Sequence, residues 1–220
     1  NRPVAIVVKK GTFDTYKSTA QTVNDKLMSR EISLEIILNN LSERSIIVAT
    51  TGKTSREIFE IRAKTGKSHK QDFLTVGSMG HCSSIALGIA LSQAERQVVC
   101  IDGDGSLIMH MGSLSTIGKL KPKNLYHILI NNQVHESVGG QATAAKFINI
   151  SQLVKANGYQ NVLLSENKEK LTSQINSFFD QSGPSFMEVV VRPGSRENLG
   201  RPTVNPIDNK NSFMDFIQEK

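Results

Sequence analysis

Short β-branched apolar runs alternate with segments of helical period along most of this 220-residue chain, and Gly-, Thr- or Asn-rich turns join them. Such a beat admits few folds, because successive parallel strands need a crossover between them and the crossover is usually a helix. Strands are expected at 4–8, 46–49, 97–101, 125–130, 162–164 and 186–191. Helices are expected at 32–41, from 54 onward, and at 81–94, 110–120, 150–157 and 168–180. The expected fold is α/β, a parallel sheet with helices on both faces. In sheets of this kind ligands bind beyond the carboxyl ends of the strands. The turns at 50–52, 77–80, 102–105 and 131–132 should meet there.

Composition narrows the function. Apolar residues make up 38% and there are 16 glycines, which excludes disordered, collagen-like and disulfide-scaffold chains. The formal net charge of +6 is local. Residues 1–30 and residues 53–70 each carry six basic and two acidic groups, so the remainder is slightly acidic. With aromatics at 5% and no Trp, the broad basic and aromatic face of a nucleic-acid binder is not expected. A pocket for a small polyanion fits better. No run approaches the roughly 18 apolar residues of a membrane span, and 4–8 is too short for a signal sequence. Cys82 and Cys100 lie in apolar surroundings without CxxC spacing, so core packing in a reduced, cytoplasmic setting is expected. The chain begins at Asn1 rather than Met and reads as a piece of something longer. Residues 12–30 read as a linker, residues 31–192 as the main domain, and residues 193–220 as a polar tail with a short helix at 213–217.

Three features carry chemistry. Gly103-Asp104-Gly105-Ser106 follows an apolar strand; its glycines permit close backbone approach, Asp104 offers a carboxylate, and the next helix offers N–H groups to an anion. A tight turn with Asp as helix cap has the same sequence. Asn131-Asn132 follows after 25 residues, one helix and one strand, so Asn132 and Asp104 can face each other from neighbouring strand ends. A carboxylate, an amide oxygen and a backbone carbonyl suit Mg²⁺ when phosphate oxygens complete the octahedron, although an Asn pair also closes turns. Gly77-Ser78-Met79-Gly80 places a bulky Met between glycines, either as a functional contact or as a core plug.

Together these features resemble the diphosphate-binding domain of thiamine-diphosphate enzymes, whose signature is GDG followed some 25 to 30 residues later by NN. The segments NQVHESVGGQ at 132–141 and TTGKTSRE at 50–57 are similar to the phosphonopyruvate decarboxylases, with the sulfopyruvate decarboxylases as near relatives. The resemblance implies that Asp104, the Asn132 side chain and the Val134 carbonyl bind Mg²⁺. Gly105, Ser106, Thr51, Gly52 and Thr54 would meet the diphosphate, with Gly103 in the same turn. In the 77–80 loop, Ser78 lies between Gly77, whose carbonyl would accept from the pyrimidine amino group, and Met79, which would hold the cofactor bent. His135 and Glu136 would be the catalytic candidates, for proton transfer, with loop capping as the alternative. His81 is more readily structural. Lys53, Arg56, Arg62 and Lys64 could draw an anionic substrate, and Arg192, Arg196 and Arg201 could clamp one.

The resemblance further implies a non-oxidative 2-oxo acid decarboxylase, with 3-phosphonopyruvate giving phosphonoacetaldehyde and CO₂ in phosphonate biosynthesis. It also implies that a Glu from an upstream pyrimidine-binding domain, or from a partner subunit, completes the site, in a homo-oligomer. Residues 4–8 would then be the last strand of that domain. The competing expectations are a sulfopyruvate decarboxylase β subunit and a non-catalytic nucleotide-binding α/β subunit. The second lacks the GxGxxG turn it would need.

Overall fold

The computed structural model describes residues 2–9, 11–14, 26–75 and 77–219. Six parallel strands form one sheet in the order β2-β1-β3-β4-β8-β7. They are β1 (Ile46–Ala49), β2 (Asp72–Leu74), β3 (Val98–Gly103), β4 (Leu125–Asn131), β7 (Asn161–Ser165) and β8 (Ser185–Val190). A two-stranded antiparallel ribbon, β5 (Val134–His135) with β6 (Gln141–Ala142), stands apart from it. Both faces of the sheet are covered, so its central strands are apolar throughout rather than alternating; β1 and β4 are buried at every position.

Two cores result. On one face Ile47, Ala49, Val99 and Ile101 pack against α1 (Arg30–Asn39), α2 (Lys53–Lys64) and α7 (Lys168–Phe179). On the other, Ile46, Val48, Val98 and Cys100 meet α3 (Cys82–Ser92), α5 (Gly112–Leu120), α6 (Ile150–Ala156) and α8 (Pro206–Gln218). The expected α/β sheet with helices on both faces is therefore the fold.

The connectivity locates a crevice. From β1 the chain runs through α2 to β2 on one side. From β2 it returns through α3 to β3 on the other side of β1. The crossovers diverge between the carboxyl ends of β1 and β3, and such a switch point leaves an opening for a ligand.

Several expectations change. Residues 4–8 form no strand; they pair with no strand among the described residues, and Val7 is 92% exposed. A β-branched run holds strand geometry only against a neighbour. Most of the linker, 15–25, lies outside the described residues. The helix expected at 110–120 is α5, and an additional helix not expected from the sequence, α4 (Asp104–Met109), begins directly at the Gly-Asp-Gly turn. The buried side of α1 is Arg30, Ser33, Leu34, Ile37 and Leu38, while Ile32 is exposed. The packed unit also exceeds 31–192. Met28 is buried, its carbonyl accepts from the Arg192 N–H at 3.0 Å, and Phe213 and Phe216 of α8 enter the second core. No helix among the described residues is long and apolar enough to cross a membrane.

Candidate active site

A cleft of about 350 Å³ opens at the switch point. One wall is Thr51, Gly52, Lys53 and Thr54, the end of β1 and first turn of α2. Gly52 has φ of +102°, a left-handed backbone that favours glycine at this turn, and Ser137 Oγ lies against it. The α2 N-terminus has no side-chain cap, which leaves its first N–H groups facing the cleft.

The floor is Gly103, Asp104, Gly105 and Ser106. A Cβ on Gly105 would lie 2.6 Å from His135 Cε1 and 3.3 Å from Met79 Cε, so the backbone, Met79 and His135 are packed edge to edge. Ser106 Oγ accepts from the Gly80 N–H at 3.1 Å and ties the 77–80 loop to the floor. Asp104 is buried and accepts from the Thr143 hydroxyl. Burial pushes its carboxyl above the ordinary range; the Thr143 hydroxyl, two backbone N–H groups and His135 pull it back only partly.

Opposite stand Asn132, Val134 and His135, carried by the turn after β4. Asn132 Oδ1 accepts from the Val134 N–H at 3.2 Å, and Gln133 takes a left-handed φ of +61° between them. Asn131 instead points away and donates to Glu188 at 2.7 Å. Asp104, Asn132 and Val134 thus border one space, from two adjacent strands.

The remaining candidates divide. Met79 lines the cleft, whereas Gly77 and Ser78 are exposed and do not. Glu136 is held by the Arg30 guanidinium and by the Gly194 N–H. Arg30 also grips Glu57 at 2.7 and 2.8 Å, so Glu136 joins α1, α2 and the tail as a strut. Lys53 and Arg56 line the cleft. Arg62 does not: it is buried against Asp72 with two 3.0 Å bonds, and Lys64 faces Glu35 on the surface. Arg196 is paired with Glu31 and Glu60 and is not among the residues that line the cleft. Arg201 lines a second cavity beside the first, sharing Thr51, Gly52 and Arg56 with it. The His81 ring lies tilted against His110, centroids 4.3 Å apart. Arg30 and Thr143 gave no sequence signal, because their partners lie 27 to 106 residues away.

This cleft lies within the segment matched by a family model. Residues 50–189 match the thiamine pyrophosphate enzyme, C-terminal TPP binding domain. The chain belongs to the thiamine pyrophosphate enzymes. The match runs from the Thr50 end of β1 to the close of β8, so this TPP-binding domain contains every wall of the cleft except Arg30.

Among similar family members, the phosphonopyruvate decarboxylase of Streptomyces viridochromogenes is 36% identical over 189 residues, 86% of this chain and 46% of that protein. The sulfopyruvate decarboxylase subunit beta of Methanococcus maripaludis is 33% identical over 192 residues, 87% of this chain and 99% of that subunit. The chain therefore spans just under half the length of the phosphonopyruvate decarboxylases it matches. A solved structure from Mycobacterium smegmatis, titled as a thiamin diphosphate-dependent enzyme, superposes with a TM-score of 0.63 at 19% identity. It covers 81% of this chain and 34% of its own, and supports the fold.

Proposed function

We propose that this chain is the diphosphate- and Mg²⁺-binding part of a 2-oxo acid decarboxylase acting on 3-phosphonopyruvate, with phosphonoacetaldehyde and CO₂ as products. The observation that carries the reading is the convergence of Asp104, Asn132 and the Val134 loop across a cleft whose other wall is an uncapped helix N-terminus. The donor set fits the group. A buried carboxylate raised by desolvation gains most from a hard cation, and the glycines at 52 and 105 leave the backbone of the cleft open to close approach by a diphosphate.

Asp104, Asn132 Oδ1 and the Val134 carbonyl would hold Mg²⁺. The N–H groups of α2's first turn, with Thr51, Thr54, Gly105 and Ser106, would hold the diphosphate. Thiamine diphosphate, when bound, supplies the carbon nucleophile and the electron sink for loss of CO₂. Met79, packed against Gly105, would contact the cofactor and hold its position in the cleft. His135 stands beside Asp104 on the cleft wall and would move a proton at the reacting carbon. Lys53 and Arg56 would attract the anionic end of the substrate. A partner, either an upstream pyrimidine-binding domain or a separate subunit, would contribute the remaining acid.

Sulfopyruvate is the second reading, favoured by the 99% coverage of a sulfopyruvate decarboxylase β subunit. The test is CO₂ release from each oxo acid by the chain combined with its pyrimidine-binding partner, at equal substrate concentration with Mg²⁺ and thiamine diphosphate. A kcat/KM at least tenfold higher for phosphonopyruvate is expected. The reverse preference would overturn the substrate assignment, and no turnover with either would overturn the decarboxylase reading.

A further inference from the structure

Three metal-ligating side chains, Cys82, Cys100 and Asp102, meet inside the second core, away from the cleft, and His127 stands beside them against Asp102. Cys82 opens α3, Cys100 and Asp102 lie two residues apart on β3 and so share a face, and His127 sits on β4 directly opposite Cys100. All four are at most 1% exposed. The ligand atoms of Cys82, Cys100 and Asp102 lie within 4.8 Å of one another.

Two buried polar atoms of this cluster make no hydrogen bond. Asp102 Oδ1 accepts from the Gly103 N–H at 2.8 Å, but Oδ2 has no hydrogen-bond partner. His127 Nε2 has none either, and the two face each other at 3.5 Å. Buried, unpaired groups of this kind are costly and rare. His127 Nδ1 is engaged, 2.9 Å from the Tyr159 hydroxyl. That is how a metal-bound imidazole is usually oriented: the nitrogen not on the metal is fixed by an outer partner.

The spacing discriminates further. Around a tetrahedral Zn²⁺, with Zn–S about 2.3 Å and Zn–N or Zn–O about 2.0–2.1 Å, two sulfurs stand about 3.8 Å apart and a nitrogen and oxygen about 3.3 Å. Here the sulfurs are 3.9 Å apart and the nitrogen and oxygen 3.5 Å. A disulfide would need about 2.05 Å between the sulfurs.

We propose that Cys82, Cys100, Asp102 and His127 form a structural site for a thiophilic divalent cation, Zn²⁺ or its chemical analogues. Binding replaces the two thiol protons, which leave to solvent, and no electrons change hands. The cation would join the start of α3, just beyond the Met79 loop, to the strand that ends in Gly103-Asp104. Two walls of the cleft would then be tied from beneath. Unlike the Mg²⁺ position, this site has sulfur ligands and is enclosed.

The test uses the reduced full chain, refolded with one to two equivalents of Cd²⁺, and follows the ultraviolet thiolate-to-metal charge-transfer band; Zn²⁺ content is measured by elemental analysis. Saturation at one ion per chain is expected, with the band lost in Cys100→Ser and His127→Gln. Tyr159→Phe should weaken binding by about 10- to 100-fold. Asp104→Ala should keep the band, because it removes only the cleft's carboxylate. If Cys100→Ser does not fold, Cys82→Ser and the wild-type stoichiometry decide. Folded wild-type chain that takes up neither ion would overturn the site. So would a full band in Cys82→Ser or His127→Gln, or a band lost in Asp104→Ala.

Discussion

Asp104 is a buried carboxylate whose partners within the chain, the Thr143 hydroxyl and backbone N–H groups, do not offset its desolvation. Its proposed cation would. Asp104→Ala should therefore remove Mg²⁺-dependent binding of thiamine diphosphate while the fold survives, because the lost group was costly to bury. Calorimetry with and without Mg²⁺ checks this, and unchanged affinity would falsify the metal assignment. Met79 makes a sharper case, because its two readings separate. It is only half-buried, so truncation should cost well under the about 2–5 kcal/mol typical of a core Met. Turnover should fall far more than the melting temperature when Met79→Ala is assayed in the reconstituted enzyme. A large melting drop with normal turnover would return Met79 to the core. Of the residues marked from sequence, those on the Gly-Asp-Gly and Asn-Asn turns reached the cleft because backbone geometry delivers them there. Glu136 also lines the cleft, but there it is paired with Arg30, and Arg196 is paired with Glu31 and Glu60; these partners lie far along the chain and left no mark in the sequence.

At the scale of elements, α2 is pinned to β2 by Arg62 and Asp72, fully enclosed and doubly bonded. Removing one member leaves the other's charge buried and alone, so Arg62→Met should cost about 3–5 kcal/mol, while an apolar pair in place of both should be nearly neutral. Chemical denaturation of the single and double variants measures this. The pair also has a pH signature. Burial lifts the Asp72 carboxyl from its ordinary 3.8 to about 6, although Arg62 pulls it down. Between about pH 4 and 6 the native chain then binds more protons than the unfolded one, so this group's contribution to stability falls as pH rises through that window. Asp72→Asn should flatten that part of a melting-temperature profile; an identical slope in the variant would sink the assignment. The elements hardest to see in advance are the small ones. β2 has three residues and begins with that Asp, so it carries no apolar run. The β5–β6 ribbon has two residues in each strand, both exposed or half-exposed. The long central strands were legible as continuous apolar runs because both their faces are buried, and helices α2, α6 and α7 by their start signals and helical period.

For the molecule as a whole, the alternation of elements fixes the sheet and the sheet's switch point fixes the cleft; neither depends on the identity of the substrate. What the alternation could not reveal is what stands opposite the cleft. Val138 lines it and is 72% exposed, and Phe147, on the 3-10 turn that packs against α4, is 86% exposed. Val138 is thus an apolar group at the opening that a partner surface would cover. In the proposed enzyme the cover is the pyrimidine-binding partner, which also brings the acid that activates the cofactor. The chain by itself should then fold, self-associate as its concentration rises, and release no CO₂ from phosphonopyruvate in the presence of thiamine diphosphate and Mg²⁺. Adding the separately expressed partner should restore turnover and suppress self-association together, because one surface serves both. Sedimentation velocity run beside the CO₂ assay reads both outcomes on the same samples. Turnover by the isolated chain at concentrations where it is monomeric would place the proton relay within these 220 residues, and the proposed division between the two halves would be wrong.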